Sequence, residues 1–384
     1  MAKTSFVPNS AKIKVMGLGG GGSNAITRMV REAIQGVEFI AMNTDAQALA
    51  ITEAPVRVQL GEKLTRGLGA GGDHNLGQKA AEESMDDIRE LVIGADMVFI
   101  TAGMGGGTGT GAAPVVAEVA KQSGALTIAV VTKPFTFEGT HRCKVAEEGI
   151  VRLLGKVDTL IIIPNDRLLE LCDQKTVVDS AFKMADDVLY HGVQAIAEVI
   201  TVPGLINLDF ADVKAIMKDA GPAWMSIGTG SGKDRAVLAA KEALASPLLD
   251  VSIEGSKGVL FNVVGGTSLT LFEVNEAAEV IKQAVDPDAN IIFGVAHDPS
   301  MESEVKITLI ATGFKSKLGM PGVGREDEFA QLLKGIKTEE EMDVPSFLRR
   351  PLFSHRRQAI TPATKLVNTP PTQGALRFRG MEDK

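Results

Sequence analysis

The sequence predicts an α/β fold: a Rossmann-like parallel sheet, joined by a long central helix to a smaller α+β domain with a mixed sheet, and a disordered C-terminal tail. Short apolar runs alternate with helical segments through the first half of the chain, as in a parallel sheet covered by helices on both faces. Two glycine-rich stretches each follow an apolar run and lead into a helix. The regular pattern stops near residue 316, and the remainder is predicted to be disordered.

The first domain is predicted at 11–175, after a flexible arm at 1–10. Helical patterns between its strands begin at 24, 46, 75 and 113, and we expect Pro114 in the first turn of the last of these helices, where a missing N–H group costs nothing. A further helix is predicted between the last two strands. The apolar, β-branched runs that predict the strands are 12–17, 37–43, 56–60, 96–101, 126–132 and 159–163.

The central helix is predicted at 176–202, because apolar residues recur there at helical spacing and indicate one buried face. The second domain follows at 203–316, where a short helix at 209–219 precedes a region of more widely spaced strands. The last two predicted strands, near 291–295 and 305–312, have no helix between them. This arrangement predicts an antiparallel or mixed sheet and therefore a separate α+β domain.

Composition excludes several classes of function. The net charge of −8 and the 4% content of aromatic residues argue against nucleic-acid binding by charge or by base stacking. Cys143 and Cys172, with no C-x-x-C pair, indicate free thiols in a reducing cytoplasm. The histidines do not occur at metal-ligand spacing, so no metal cage is predicted. No apolar run reaches the roughly 20 residues that a membrane-spanning helix needs.

The glycine-rich stretch at 103–111 carries the strongest functional signal. Six of its nine residues are glycine, so backbone N–H groups can close around an anion at the start of a helix. Thr108 and Thr110 add hydroxyl groups to the same stretch. We interpret it as a phosphate-binding loop, because a flexible linker would not lie between a buried strand and a helix.

A second glycine loop matches the pattern G-x-G-x-x-G at Gly17, Gly19 and Gly22. With Asp45 near the end of the next strand, this pattern by itself also fits a nicotinamide-dependent oxidoreductase, although Asp45 considered in isolation is better interpreted as a helix cap. Two phosphate loops at neighbouring strand ends favour a triphosphate instead. Neither loop contains the lysine of a P-loop, so backbone dipoles and a bound cation, Mg²⁺ by default, must neutralise the phosphates.

These motifs together resemble those of the tubulin/FtsZ family. The stretch 105–111 resembles the tubulin signature, and 17–24 and 207–212 resemble two further motifs of the family in the same order and spacing. The resemblance extends over about 12–314. It implies a GTPase that assembles head to tail into cytoskeletal filaments at the site of cell division and septation. A filament protein that binds nucleotide without hydrolysing it is the remaining alternative, besides the oxidoreductase.

The resemblance assigns GTP-binding roles to single residues. Gly71 and Gly72 would lie beside the γ-phosphate, while Glu138 and Arg142 would hold the sugar and phosphate side; read in isolation, Arg142 is a solvated residue and Glu138 an ordinary loop acid. The other residues assigned to the nucleotide are Gly19, Gly20, Gly21, Gly22, Asn24, Asn43, Gly103, Gly105, Gly106, Gly107, Thr108, Gly109, Thr110, Asn165, Phe182 and Asp186.

Asn165, Phe182 and Asp186 are the residues that the resemblance assigns to the base. A carboxylate facing N1–H and the 2-amino group of guanine accepts two hydrogen bonds, whereas adenine has no donor at N1, so an acid here selects GTP. Asp187 is adjacent and could point inward instead, but we favour Asp186. Without the resemblance, Phe182 would be interpreted as a core residue.

Asp209 and Asp212 are the candidate catalytic acids. The glycine loops contain no acid, whereas these two lie three residues apart at the start of a predicted helix, where they also fit an N-cap and a first-turn acid. In the family, they and Asn207 belong to a loop that reaches the nucleotide of the next subunit. We therefore hypothesise that hydrolysis depends on assembly.

The region 317–384 is predicted to be a disordered linker and tail with a docking peptide at 343–350. Pro345 limits the freedom of this peptide, Phe347 and Leu348 provide apolar anchors, and two arginines follow. It resembles the family's C-terminal peptide, which binds membrane-tethering division proteins, but in this chain it is followed by a long basic segment. That segment could contact an anionic membrane surface, bind acidic partners or only solubilise the chain end.

Overall fold

The structure is a computed structural model that describes residues 11–170, 177–201, 209–246, 248, 253 and 255–314. The predicted arm at 1–10, the tail at 317–384 with its docking peptide, Cys172 and Asn207 lie outside the described residues. No helix in the described part is long and apolar enough to cross a membrane.

The described strands form one sheet in the order β3-β2-β1-β4-β5-β6-β7-β10-β8-β9. The strands are β1 (Ile13–Leu18), β2 (Val37–Asn43), β3 (Val56–Gln59), β4 (Met97–Gly103), β5 (Leu126–Lys133), β6 (Thr159–Pro164), β7 (Gly221–Ser231), β8 (Gly258–Gly265), β9 (Asn290–His297) and β10 (Glu304–Thr312). The helices are α1 (Gly19–Arg31), α2 (Ala46–Ala50), α3 (Glu62–Thr65), α4 (His74–Glu83), α5 (Met85–Val92), α6 (Thr108–Gln122), α7 (Thr140–Leu154), α8 (Asn165–Leu169), α9 (Val178–Thr201), α10 (Phe210–Met217), α11 (Arg235–Leu244) and α12 (Leu271–Ala284).

Strands β1 to β6 are parallel, which confirms the predicted Rossmann-like sheet. Strands β4 and β5 are buried almost throughout their length, as expected for central strands with helices on both faces. The strand order reverses between β1 and β4. Such a switch point opens a crevice at the carboxyl ends of the strands, and ligands of α/β proteins bind there.

The second half of the sheet is mixed, as predicted. Strand β7 pairs with β6 in parallel over three residue pairs, and β10 runs antiparallel to both β7 and β8. The last two strands, β9 and β10, are not neighbours, because β8 lies between them and pairs with β9 in parallel. A β8-α12-β9 unit accounts for this arrangement, since a parallel pair needs a crossover connection.

The central helix α9 packs on both halves of the molecule. Leu189, Val193 and Ile196 are almost fully buried, in one apolar cluster with residues of β1 and β2 on one side and of β8 and β9 on the other. Leu189 belongs to the apolar residues whose helical spacing predicts a buried face, and the packing confirms that a long central helix connects the two halves of the sheet.

Three predicted helix boundaries were wrong. Helix α6 begins at Thr108, inside the glycine loop, because the N–H of Gly111 already donates to the carbonyl of Gly107. Pro114 therefore lies in the second turn and not in the first. Helix α1 likewise begins at Gly19, before the predicted residue 24. The predicted helix at 75–93 is two helices, α4 and α5, divided at Ser84.

Candidate functional site

The two glycine loops, 19–22 and 103–109, lie side by side at the switch point. Strands β1 and β4 pair in register, with Leu18 opposite Ala102, so α1 and α6 begin next to each other. Neither helix has a side-chain N-cap, whereas Asp45 caps α2 and Asp73 caps α4. Two uncapped helix N-termini present free N–H groups and positive dipole ends to the same space, which is an arrangement that binds anions.

The glycines of these loops serve two purposes. A Cβ on Gly22 would lie 2.5 Å from the carbonyl oxygen of Thr101, and one on Gly19 would lie 2.8 Å from the backbone nitrogen of Gly109, so the loops pack against each other through bare backbone. A Cβ on Gly20 or Gly106 would meet no atom within 4 Å. Gly19 and Gly22 therefore allow close backbone packing, whereas Gly20 and Gly106 border open space.

The remaining residues of the second loop support it from within. The N–H of Gly105 donates to the hydroxyl of Thr110 over 2.8 Å, and the hydroxyls of Thr108 and Thr44 are 2.6 Å apart. A Cβ on Gly109 would lie 2.8 Å from the carbonyl oxygen of Gly103. These contacts hold the loop in its shape, and Thr44 contributes to them although the sequence offered no signal for that residue.

A third segment approaches the second glycine loop. A Cβ on Gly107 would lie 2.8 Å from the Cβ of Ala70, while Gly71 and Gly72 have left-handed backbone angles and face open space. Asn43, also assigned to the nucleotide, is buried at the end of β2, and its Oδ1 accepts from the N–H of Asp45. Because Ala70 contacts Gly107, the adjacent Gly71 and Gly72 also lie beside the second glycine loop.

Glu138 and Arg142 form an ion pair with 3.0 Å between Oε2 and Nη1. Glu138 is well covered, and its other carboxylate oxygen accepts from the N–H of Phe135, whereas the Arg142 side chain is half exposed. A Cβ on Gly105 would lie 2.7 Å from the Arg142 carbonyl oxygen, which places α7 against the second glycine loop. Glu138 orients an arginine that borders this loop.

An open cavity of about 290 Å³ lies between α1 and α9. Phe182 lines it with 41% of its surface exposed, and its ring meets that of Phe135 edge-on with centroids 5.4 Å apart. Phe182 is thus not a core residue. The other residues that line the cavity are Asn24, Thr27, Arg28, Arg31, Asp179, Lys183, Asp186 and Asp187.

The adjacent acids Asp186 and Asp187 differ in their surroundings. The Asp187 carboxylate lies 2.8 Å from Nε of Arg28. Burial raises the pKa of Asp186 to about 7, with a further rise from the charge of Asp187 that Arg28 partly offsets. A carboxyl group with a strongly raised pKa in a cavity is a candidate ligand-binding group.

Asn165 is a second polar group without local compensation. It begins α8 directly after β6, is 4% exposed, and its buried Oδ1 has no hydrogen-bond partner among the described residues. An unpaired buried oxygen costs about 1–3 kcal/mol. A ligand that donates a hydrogen bond at this position would remove that cost.

The candidate catalytic acids lie far from the glycine loops. Asp209 caps α10 by accepting from the N–H of Asp212 over 2.8 Å, and both side chains are exposed. The carbonyl of Met217, at the other end of α10, accepts from the hydroxyl of Thr159, the first residue of β6. This contact is at the amino edge of the parallel sheet, whereas the glycine loops are at the carboxyl edge.

The separation between these two edges is larger than α10 can span. A strand the length of β6 is about 20 Å long, and three strand spacings of about 4.8 Å separate β6 from β1. An eight-residue helix such as α10 is only about 12 Å long. The acids therefore do not meet the glycine loops of their own chain.

Comparisons with known proteins identify the family. The model of the Tubulin/FtsZ family GTPase domain matches residues 12–173, and that of the FtsZ family C-terminal domain matches 221–315. An empty FtsZ dimer from M. jannaschii is 46% identical, covers 83% of this chain and 96% of its own, and superposes with a TM-score of 0.78. A mutant FtsZ from the same organism is 48% identical, with coverages of 82% and 95% and a TM-score of 0.79. GDP-bound CetZ1 from Haloferax volcanii shares the fold at 20% identity, with coverages of 84% and 99% and a TM-score of 0.70.

The fold and the paired glycine loops define a nucleotide-binding α/β protein without a lysine P-loop. With both domains matched and nearly half of the residues identical to FtsZ, the chain belongs to the tubulin/FtsZ family. It is a self-assembling GTPase that binds GTP and GDP and forms cytoskeletal filaments in cell division. The oxidoreductase alternative is not favoured, since the first domain matches a GTPase family and the second matches the FtsZ C-terminal domain; Asp45 itself caps α2 by accepting from the N–H groups of Gln47 and Ala48.

Proposed function

We propose that this GTPase hydrolyses GTP only in the assembled state, with Asp209, Asp212 and Asn207 of one subunit completing the site on the next subunit of a head-to-tail filament. The observation that carries this proposal is the position of α10, which bears Asp209 and Asp212 at its N-terminal end and is anchored by Met217 at the edge of the sheet opposite the glycine loops. The loops themselves offer N–H and hydroxyl groups but no carboxylate. Phosphoryl transfer to water needs a group that orients the water, and a neighbouring subunit can supply it.

We further propose that the glycine loops, with Gly71 and Gly72, bind the phosphates, and that Arg142, oriented by Glu138, binds the sugar and phosphate side. The uncapped ends of α1 and α6 and the open space at Gly20 and Gly106 support this assignment. Mg²⁺ would be held by phosphate oxygens and water and would neutralise charge on the phosphates. The described residues contain no group of three or more His, Cys, Asp or Glu that could cage a metal, so the nucleotide would bring the cation's ligands.

Guanine is assigned to the cavity beside Asn24, with Asn165, Phe182 and Asp186 as its partners. Asp187 already pairs with Arg28, which favours Asp186 as the acid for N1–H and the 2-amino group. The exposed face of Phe182 suits a planar base, and the unpaired Oδ1 of Asn165 suits a hydrogen-bond donor.

GTP affinity is expected to rise with pH, because Asp186 must ionise to accept hydrogen bonds from guanine. With its pKa at about 7, the dissociation constant should fall about tenfold between pH 6 and pH 8, and the proton release on binding should fall from about 0.9 proton at pH 6 to about 0.1 at pH 8. Without ligand, the folded protein binds more protons at Asp186 than the unfolded chain between about pH 4 and pH 7, so this group lowers stability as the pH rises through that window. Calorimetry in two buffers of different ionisation enthalpy measures the proton release.

Asp186→Asn is the control for this measurement. It should retain only the pH dependence of the nucleotide phosphates and should lose the preference for GTP over ATP. Equal proton release by Asp186→Asn and the unchanged protein would contradict the role of Asp186.

We propose the division site as the location of this protein, with the peptide 343–350 docking on membrane-tethering division proteins. An apolar pair flanked by proline and arginine suits binding in a groove, and this supports the assignment. We also propose the domain limits 11–175, 176–202 and 203–316.

The test of the proposed function is phosphate release with GTP, with ATP and without nucleotide, over a range of protein concentrations and paired with light scattering. Turnover per subunit should be close to zero below a threshold concentration and should rise, with GTP alone, where scattering begins. Turnover that is independent of concentration would refute the dependence on assembly.

A chain lacking 343–384 forms the second arm of the same experiment. It should release phosphate and scatter light as the full chain does, but it should no longer bind the tethering proteins. Loss of both activities would refute the placement of the domain end at 316.

A further inference from the structure

Helix α10 carries Asp209 and Asp212 at its N-terminal end, and its C-terminal end is fastened to the sheet by several contacts. Val213 and Met217 are almost fully buried, and the Met217 carbonyl accepts from the hydroxyl of Thr159. The turn that follows returns to the sheet where the N–H of Gly221 donates to the carbonyl of Asp158. The position of the acids therefore depends on how this C-terminal turn is held.

Three charged side chains, those of Lys121, Asp158 and Asp219, connect this turn to α6 and to the residue before β6. Nζ of Lys121 lies 2.9 Å from Oδ1 of Asp219, in the turn after α10, and 3.2 Å from Oδ1 of Asp158, just before β6. The Asp158 side chain is 5% exposed, and its other oxygen accepts from the N–H of Thr127. Burial lowers the pKa of Lys121, but hydrogen bonds to Asp219 and Asp158 raise it above its ordinary value overall, so the lysine stays charged.

Asp219 has a left-handed backbone, with φ of 51°, which residues with a side chain rarely adopt. A glycine would adopt this conformation without strain, and although aspartate tolerates it better than most residues, the local backbone alone does not require an acid here. The contact with Lys121 supplies a reason, since it fastens the turn to α6 and to β6.

Helix α6 also begins inside the second glycine loop, at Thr108, and Lys121 lies in its last turn. The fifteen residues of α6 form a helix about 22 Å long that runs from the second glycine loop to the turn after α10. Helix α6 thus sets the distance, within one subunit, between the second glycine loop and the turn that holds α10 with Asp209 and Asp212.

We propose that Lys121 and Asp219 are positioning residues, which fix α10 so that Asp209 and Asp212 reach the nucleotide of the next subunit in the geometry that hydrolysis needs. The proposal rests on the proposed hydrolysis between subunits. Neither residue touches the nucleotide or the reacting water. Their effect is therefore on the turnover number and not on GTP affinity.

The test is Asp219→Gly, which cuts the link to the turn, suits the left-handed backbone and leaves the buried Asp158 paired with Lys121. Displacement of catalytic groups by a fraction of an ångström to 1 Å lowers rates strongly, and we expect the turnover number of the assembled protein to fall about fivefold or more. The dissociation constant for GTP, the scattering threshold and the melting temperature should stay unchanged.

Two further variants make the result specific. Asp219→Asn keeps an acceptor for Lys121 and tolerates the left-handed backbone, so it should retain most of the turnover. Lys156→Met is the matched control, because Lys156 pairs with Glu118 over 2.6 Å near the same end of α6 without contacting the turn after α10, and it should turn over GTP normally.

Normal turnover by Asp219→Gly would overturn the positioning role, and so would equal losses in Asp219→Gly and Lys156→Met. Either result would leave the proposed function standing, provided that Asp212→Ala is inactive. A fully active Asp212→Ala would refute the proposed function itself, whatever Asp219→Gly does.

Discussion

Replacement of Asp212 by alanine is expected to lower GTP turnover by the assembled protein about 100-fold or more, the usual contribution of a group that accepts a proton from or orients the attacking water. GTP affinity should be unchanged, because Asp212 is at the edge of the sheet opposite the glycine loops. Phosphate release above the scattering threshold measures the first quantity, and equilibrium binding of a labelled nucleotide measures the second.

The structural role of Asp209 calls for a separate control. Its carboxylate caps α10, so alanine at this position would remove both a charge and a helix cap worth about 1 kcal/mol. Asp209→Asn keeps the cap and removes the charge. Low turnover with an unchanged melting temperature would indicate a chemical role for the charge, whereas normal turnover would restrict Asp209 to capping.

Replacement of Gly106 by alanine is expected to weaken GTP binding about tenfold or more, because its methyl group would enter the space assigned to the phosphates. A Cβ at Gly106 meets no protein atom within 4 Å, and its backbone is not left-handed, so the melting temperature should not fall. Gly155→Ala is the matched control: its Cβ is equally unobstructed, but it lies outside the glycine loops. Nucleotide titration followed by thermal unfolding separates the two quantities.

Gly106→Ala and Asp212→Ala together test hydrolysis between subunits. The first retains the acids but binds GTP weakly, so its turnover should be low at a GTP concentration well below its dissociation constant. The second binds GTP but lacks an acid, so it should be nearly inactive at any GTP concentration. In an equal mixture, about a quarter of the contacts in a head-to-tail filament join a bound GTP to an intact acid, so activity should return. An inactive mixture that still scatters light would contradict hydrolysis between subunits, and wild-type affinity in Gly106→Ala would refute the placement of the phosphates.

The parallel sheet, the central helix and both glycine loops could be predicted because each follows from residues close together in the chain. Alternating periodicities predict strands and helices, and the glycine spacing at 103–111 predicts a loop with bare backbone. Helix starts were less predictable. Glycine-rich sequences indicate no helix, yet α1 and α6 begin within them, because the neighbouring loop and strand hold the backbone in helical geometry.

The sequence by itself determined the family, the order of the elements and the presence of two glycine-rich loops without a lysine. Only the tertiary structure decided that Asp187 pairs with Arg28, that Phe182 faces a cavity, and that α10, which carries Asp209, is anchored at the edge of the sheet opposite the glycine loops. Each of these facts joins residues far apart in the chain, and their meeting depends on strand order and helix packing, which local periodicity does not encode. Two glycine-rich loops can be recognised from the chain alone, but the distance from those loops to the acids is a property of the fold.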